Sequence, residues 1–126
     1  MAKRILVVDD ARDQADFLAR RLTTRGYAVD VAYDGQQALG MLESTDYDLV
    51  ITDLLMPQRT GYTVIRTAKG SIRKENNVPV IAVSASSQED LDKARTIGAV
   101  SVYRKPYKIK VIMNRVGELI GEAASD

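Results

Sequence analysis

At 126 residues the chain is long enough for one domain whose core needs neither metal nor disulfide staples. With 45% hydrophobic and 28% charged residues, and 18 basic against 17 acidic side chains, it reads as a globular protein, not a disordered tail, and its charge gives no reason to expect direct nucleic-acid binding. It contains no cysteine and no histidine, which excludes thiolate nucleophiles, disulfides, Cys/His zinc sites and the Ser-His-Asp triad, and leaves carboxylates, hydroxyls, lysines and any hard cation that carboxylates could hold.

Short β-branched runs alternate with segments of helical period along the whole chain. "RILVVD" (4–9) predicts the first strand, and "ARDQADFLARRLTTRG" after it places Ala11, Ala15, Leu18 and Leu22 on one helical stripe that stops at Gly26. "YAVDVAY" (27–33) predicts a second strand, followed by a stripe of Ala38, Met41 and Leu42. "YDLVIT" (47–52) predicts a third, followed by Ile65, Ala68 and Ile72. "VPVIAVS" (78–84) leads to Leu91 and Ala94, and "AVSVY" (99–103) leads to Ile109, Ile112, Val116, Leu119 and Ile120. No apolar run approaches the ~20 residues of a membrane helix, and the start "MAKR" leads into a segment too short for a signal-peptide core, so a cytoplasmic location is expected.

Five β-then-α units predict an α/β fold, a (βα)5 doubly wound parallel sheet with helices on both faces. The near-continuous apolar runs of strands 1, 3 and 4 suit interior positions, and the alternating "YAVDVAY" suits an edge. The expected strand order is the flavodoxin-like 2-1-3-4-5. Residues 1–122 are read as the domain, and 123–126 as a short frayed tail without a second domain.

In such a sheet, function collects beyond the carboxyl ends of the strands. Asp9 and Asp10 end strand 1, Asp53 ends strand 3, Ser84 ends strand 4, and Arg104, Lys105 and Pro106 follow strand 5. Three carboxylates against one ammonium leave two negative charges, which a single divalent cation would cancel. Magnesium suits hard oxygen ligands and keeps open positions, so such a site is a receptor for a phosphoryl group. The competing structural readings are N-capping of the first helix by Asp9 or Asp10, a turn carboxylate at Asp53, a solvated Lys105, and a helix-capping Ser84.

The ordered set "VVDD", "VITDLLMP", "VSA" and "YRKP" resembles the receiver domains of bacterial two-component response regulators over essentially the whole chain. The resemblance implies that Asp53 accepts a phosphoryl group from a phosphohistidine on a sensor histidine kinase or phosphotransfer protein. Asp9, Asp10, Asp53 and the carbonyl of Leu55 would bind Mg2+, Lys105 would pair with the phosphoryl oxygens, Ser84 would hydrogen-bond them, and the Lys105-Pro106 peptide bond should be cis. It further implies a module that catalyses only its own phosphorylation and dephosphorylation, acts on a downstream protein target, and occurs as a monomer or weak dimer, while the balanced charge and the short apolar runs predict no direct nucleic-acid binding and no membrane insertion. Transfer to an ionised carboxylate needs no general base, so the lack of histidine is no handicap, and the donor histidine must lie on another protein.

Three positions depart from the pattern. Val102 stands where receivers that switch an output face carry an aromatic residue. Tyr103 follows it and, by strand alternation, should point the other way. Thr60 replaces an aspartate, and the apolar Leu55 stands where the family tunes hydrolysis of the acyl phosphate, from which slow self-dephosphorylation is expected. Phe17 either docks a kinase or phosphotransfer helix or widens the core face. Arg104, Lys108, Lys110 and Arg115 form either a partner surface or a solvated one. Two alternatives belong to other classes. A degenerate receiver would act as a scaffold independent of phosphorylation, and a flavodoxin-type electron carrier would need a phosphate-cradling loop where "DDARDQ" would instead repel a flavin phosphate.

Overall fold

The computed structural model describes residues 2–57, 60–70 and 78–121. Five strands, β1 (Arg4–Val8), β2 (Ala28–Ala32), β3 (Leu49–Asp53), β4 (Val80–Ser84) and β5 (Ser101–Arg104), alternate with five helices. These are α1 (Arg12–Thr24), α2 (Gly35–Ser44), α3 (Thr60–Lys69), α4 (Gln88–Thr96) and α5 (Ile109–Ile120). All pairings are parallel, in the order β2-β1-β3-β4-β5, as the hydrophobic runs predict. The chain is therefore a flavodoxin-like (βα)5 fold, with the alternating strand β2 at an edge.

The period-two alternation of the strands divides the core into two halves. Leu6, Val8, Val50, Val80 and Ala82 face α2, α3 and α4, packing with Ala38, Ile65, Ala68, Leu91 and Ala94. Ile5, Val7, Leu49, Ile51, Ile81 and Val83 face α1 and α5, packing with Ala15, Leu18, Leu22, Ile112 and Val116. Strands β1, β3 and β4 carry apolar residues on both sides because both sides are covered.

Helix ends follow local chemistry. Asp34 caps α2 by accepting the Gln37 N–H at 2.8 Å, and Ser87 caps α4 by accepting the Asp90 N–H at 3.3 Å. After α1 the chain turns at Gly26 with φ 98°, a left-handed value that a residue without Cβ adopts readily. Ala11, expected on the α1 stripe, is instead the N-cap residue, one position before the first helical residue, Arg12, and four before the first buried one, Ala15. Ile72 lies outside the described residues, as does the tail beyond Gly121. No described helix is long and apolar enough to cross a membrane.

Candidate functional site

Parity and register bring distant residues to one place. Asp53 is the last residue of β3, and Asp9 follows β1 directly, its N–H bonded to the Ala32 carbonyl of β2 at 3.1 Å. Counting by twos from Ile5 and Val7, and from Leu49 and Ile51, puts Asp9 and Asp53 on the α1/α5 side of the sheet. Lys105 is one residue past β5, its N–H bonded to the Ser84 carbonyl at 2.8 Å. It shares the parity of Tyr103, which packs on that same side.

One oxygen from each of Asp9, Asp10 and Asp53 falls within 4.8 Å of the others. Asp9 and Asp53 are buried and Asp10 is exposed, so the cluster opens to solvent on one side. The Lys105 ammonium donates to Asp9 Oδ2 at 2.8 Å and to Asp53 Oδ2 at 3.0 Å. The remaining oxygens are engaged by backbone: the Ala11 N–H donates to Asp9 Oδ1 and the Leu55 N–H to Asp53 Oδ1, each at 2.9 Å. Both are Asx-type turns that lock the carboxylates at the strand ends.

Burial pushes the Asp53 carboxyl above the ordinary carboxylate value. The Leu55 N–H and the Lys105 ammonium oppose that rise, and the neighbouring charge of Asp9 adds to it. For Lys105, burial works against the charged form, but hydrogen bonds and attraction to Asp9 and Asp53 outweigh it and raise its pKa. The lysine thus stays cationic, and three carboxylates face one ammonium. Hard oxygen donors at this spacing, in negative excess and open on one side, fit a small divalent cation.

The structure also decides among the competing readings of single residues. Neither aspartate is the N-cap of α1, which begins after Ala11 without a side-chain cap. Ser84 is fully buried and does not cap α4, a task that falls to Ser87; its hydroxyl oxygen accepts the Ser86 N–H at 3.1 Å. Val102 packs with the α2–α4 half of the core and Tyr103 with the α1/α5 half, as alternation requires, so the ring at Tyr103 faces away from the side of Ser84. The Lys105-Pro106 bond is cis. Phe17 is 49% exposed and so does not widen the core. Of the four basic residues near the end, Arg104 donates to the Ser86 carbonyl at 2.7 Å and Arg115 to Ser101 Oγ at 2.7 Å, while Lys108 and Lys110 are exposed.

Two contributors were not singled out in the sequence. Gly61, at the start of α3, lies so close to the end of β3 that a Cβ there would stand 2.3 Å from the Asp53 carbonyl oxygen and 2.6 Å from Leu54 Cα. Only a residue without a side chain lets α3 pack onto the backbone that carries Asp53. Gln14, from the first turn of α1, accepts a hydrogen bond from Lys105 at 2.6 Å. The "TG" after "MPQR" was a signal for the first. Nothing in the spacing pointed to the second.

Comparison with known proteins agrees with this geometry. Residues 5–117 match the response regulator receiver domain family. Response regulator ArlR of Staphylococcus haemolyticus is 35% identical over 114 residues, covering 89% of this chain; the chain spans half the length of that relative. The receiver domain of sensor histidine kinase PA1611 from Pseudomonas aeruginosa PAO1, solved with magnesium coordinated in its active-site cleft, is 27% identical with a TM-score of 0.83, covering 97% of this chain and 100% of its own. A response regulator protein from Burkholderia pseudomallei, solved with a phosphorylated aspartic acid, calcium and citrate, is 25% identical with a TM-score of 0.79, over 93% of this chain and 66% of that one. With its strand order, its acidic cluster and a family match over nearly its full length, the chain belongs to the response regulator receiver domains of two-component signalling.

Proposed function

We propose that Asp53 is the phospho-acceptor of a Mg2+-dependent relay, taking its phosphoryl group from a histidine kinase or phosphotransfer protein and passing the signal to a downstream protein. The observation that carries this reading is the meeting of Asp9, Asp10 and Asp53 within 4.8 Å, with Lys105 bonded to two of them. In the transfer, the P–N bond to the donor imidazole breaks as a P–O bond forms to an Asp53 carboxylate oxygen, and the bonding pair leaves with the imidazole. Asp9, Asp10, Asp53 and the Leu55 carbonyl would hold Mg2+, which when bound supplies positive charge against the phosphoryl oxygens. Lys105 exchanges its Asp53 contact for a phosphoryl oxygen, and the Ser84 hydroxyl turns from Ser86 to donate to another. The two solved relatives, one with magnesium in its cleft and one with a phosphorylated aspartate, support both parts of the proposal.

Leu55, 52% exposed next to Asp53, offers no polar group to orient an attacking water, so the acyl phosphate is long-lived. Val102 in place of an aromatic switch residue favours a relay over a change of output face.

Incubation with acetyl phosphate and Mg2+, followed by mass measurement, tests the reading. One phosphoryl increment is expected on the wild type and none on Asp53→Asn. An unmodified wild type, under conditions that label a control receiver, would favour the scaffold reading instead.

A further inference from the structure

The ammonium of Lys105 has three donors and no acceptor, and the structure gives each a partner. Two are the carboxylates of Asp9 and Asp53. The third and shortest contact, 2.6 Å, is to Gln14 Oε1, from outside the strand ends. Gln14 stands three residues after the N-cap Ala11. A glutamine at that position commonly turns back onto the N-cap N–H. Here the Ala11 N–H is already held by Asp9 Oδ1 at 2.9 Å, so the Gln14 amide is released to reach across to the lysine.

The three contacts differ in what phosphorylation does to them. Asp53 is the group to be modified, and Asp9 is shared with a cation. Gln14 is neutral and takes no part in the transfer, so its hold on Lys105 can persist throughout. Its neutrality matters, because a carboxylate at the same place would add a fourth negative charge to a site that must admit an anionic donor.

We infer that Gln14 is a positioning residue, whose amide oxygen fixes the Lys105 ammonium where a phosphoryl group on Asp53 meets it, without adding charge that repels the donor. The inference rests on the phospho-acceptor reading of Asp53. Gln14→Met removes the acceptor at nearly constant length, and Gln14→Glu keeps the acceptor but adds charge.

With acetyl phosphate and Mg2+, Gln14→Met is expected to lower the saturated phosphorylation rate about fivefold while leaving the half-saturating donor concentration unchanged. Gln14→Glu should keep the saturated rate within about twofold and raise the half-saturating concentration. In a Lys105→Ala background, Gln14→Met should change nothing further, as required of a residue that acts through the lysine. A readout without turnover comes from the metal-free protein: the Lys105 ammonium signal in nitrogen-edited NMR, sharp in the wild type, should broaden by solvent exchange in Gln14→Met at an unchanged Tm. A wild-type rate in Gln14→Met, or the same fold loss with and without Lys105, overturns the inference and leaves the phospho-acceptor reading intact. A wild type that takes up no phosphoryl group removes both.

Discussion

Near the amino ends of the strands, Arg4 lies 3.3 Å from the Asp30 carboxylate, and the Tyr47 hydroxyl donates to the same carboxylate at 2.8 Å. At the carboxyl ends, Lys105 reaches Asp9 and Asp53 at similar distances. The side-chain chemistry is alike and the charge balance is not. One guanidinium answers one carboxylate at the first cluster, whereas one ammonium answers three carboxylates at the second. Solvent differs too: Arg4 and Asp30 are 44% and 34% exposed, against 15% for Lys105 and 7% for Asp53. Burial and the neighbouring Asp30 push the Tyr47 hydroxyl up to about 12, so it stays a proton donor that completes a satisfied cluster. A satisfied cluster needs no further partner, whereas an acidic excess with two of its three carboxylates buried has the chemistry to hold a cation.

The widest gap between the two ends should appear when each loses its cation. Lys105→Ala leaves two buried carboxylates facing each other and should lower the unfolding free energy of the metal-free protein by about 3 kcal/mol. Arg4→Ala breaks a pair that water already screens and should cost under ~1 kcal/mol. Urea unfolding of both variants measures the difference. Equal losses would mean that the charge imbalance has no energetic meaning.

Acidity sharpens the comparison next. The Asp53 carboxyl is raised, first by burial, so the stability it contributes is fully present below its unfolded value of 3.8 and is lost as pH rises through the higher folded value. On the proposed reading, a divalent cation held by Asp9, Asp10 and Asp53 would oppose that rise. Carboxyl-carbon NMR should place the Asp53 midpoint above 3.8 without a divalent cation and shift it downward with Mg2+. The gain in Tm from Mg2+ should be larger at neutral pH than in acid and should vanish in Asp53→Asn.

Much of this arrangement was legible because it depends on backbone alone. Strand order follows from which runs are apolar on both faces, and parallel strands carry their carboxyl ends to one edge, so Asp9, Asp10, Asp53, Ser84 and Lys105 could be grouped across 96 positions. What stayed hidden depends on side-chain direction at helix ends. Gln14 reads as one more polar residue in "DQAD" until Asp9 is seen to occupy the N–H that a glutamine would otherwise take. Ala11 falls on the apolar stripe by period alone, because periodicity does not reveal where the first helical turn begins. The contact of Arg104 with the Ser86 carbonyl ties the end of β5 to the loop after β4, an approach set by the path of that loop, which spacing does not encode.

The smallest expected effect probes whether the two ends are independent. Tyr47→Phe removes one hydrogen bond from Asp30, which keeps Arg4 and enough exposure for water to take the vacated place. The ring stays buried, so no cavity opens, and the loss should be about 1 kcal/mol. Because Asp30 reaches neither Lys105 nor Asp53, the rate of phosphorylation by acetyl phosphate should match that of the wild type. A slower rate would show that the sheet transmits strain from β2 to the ends of β1 and β3, and that the excess charge at Asp9, Asp10 and Asp53 does not by itself set the chemistry.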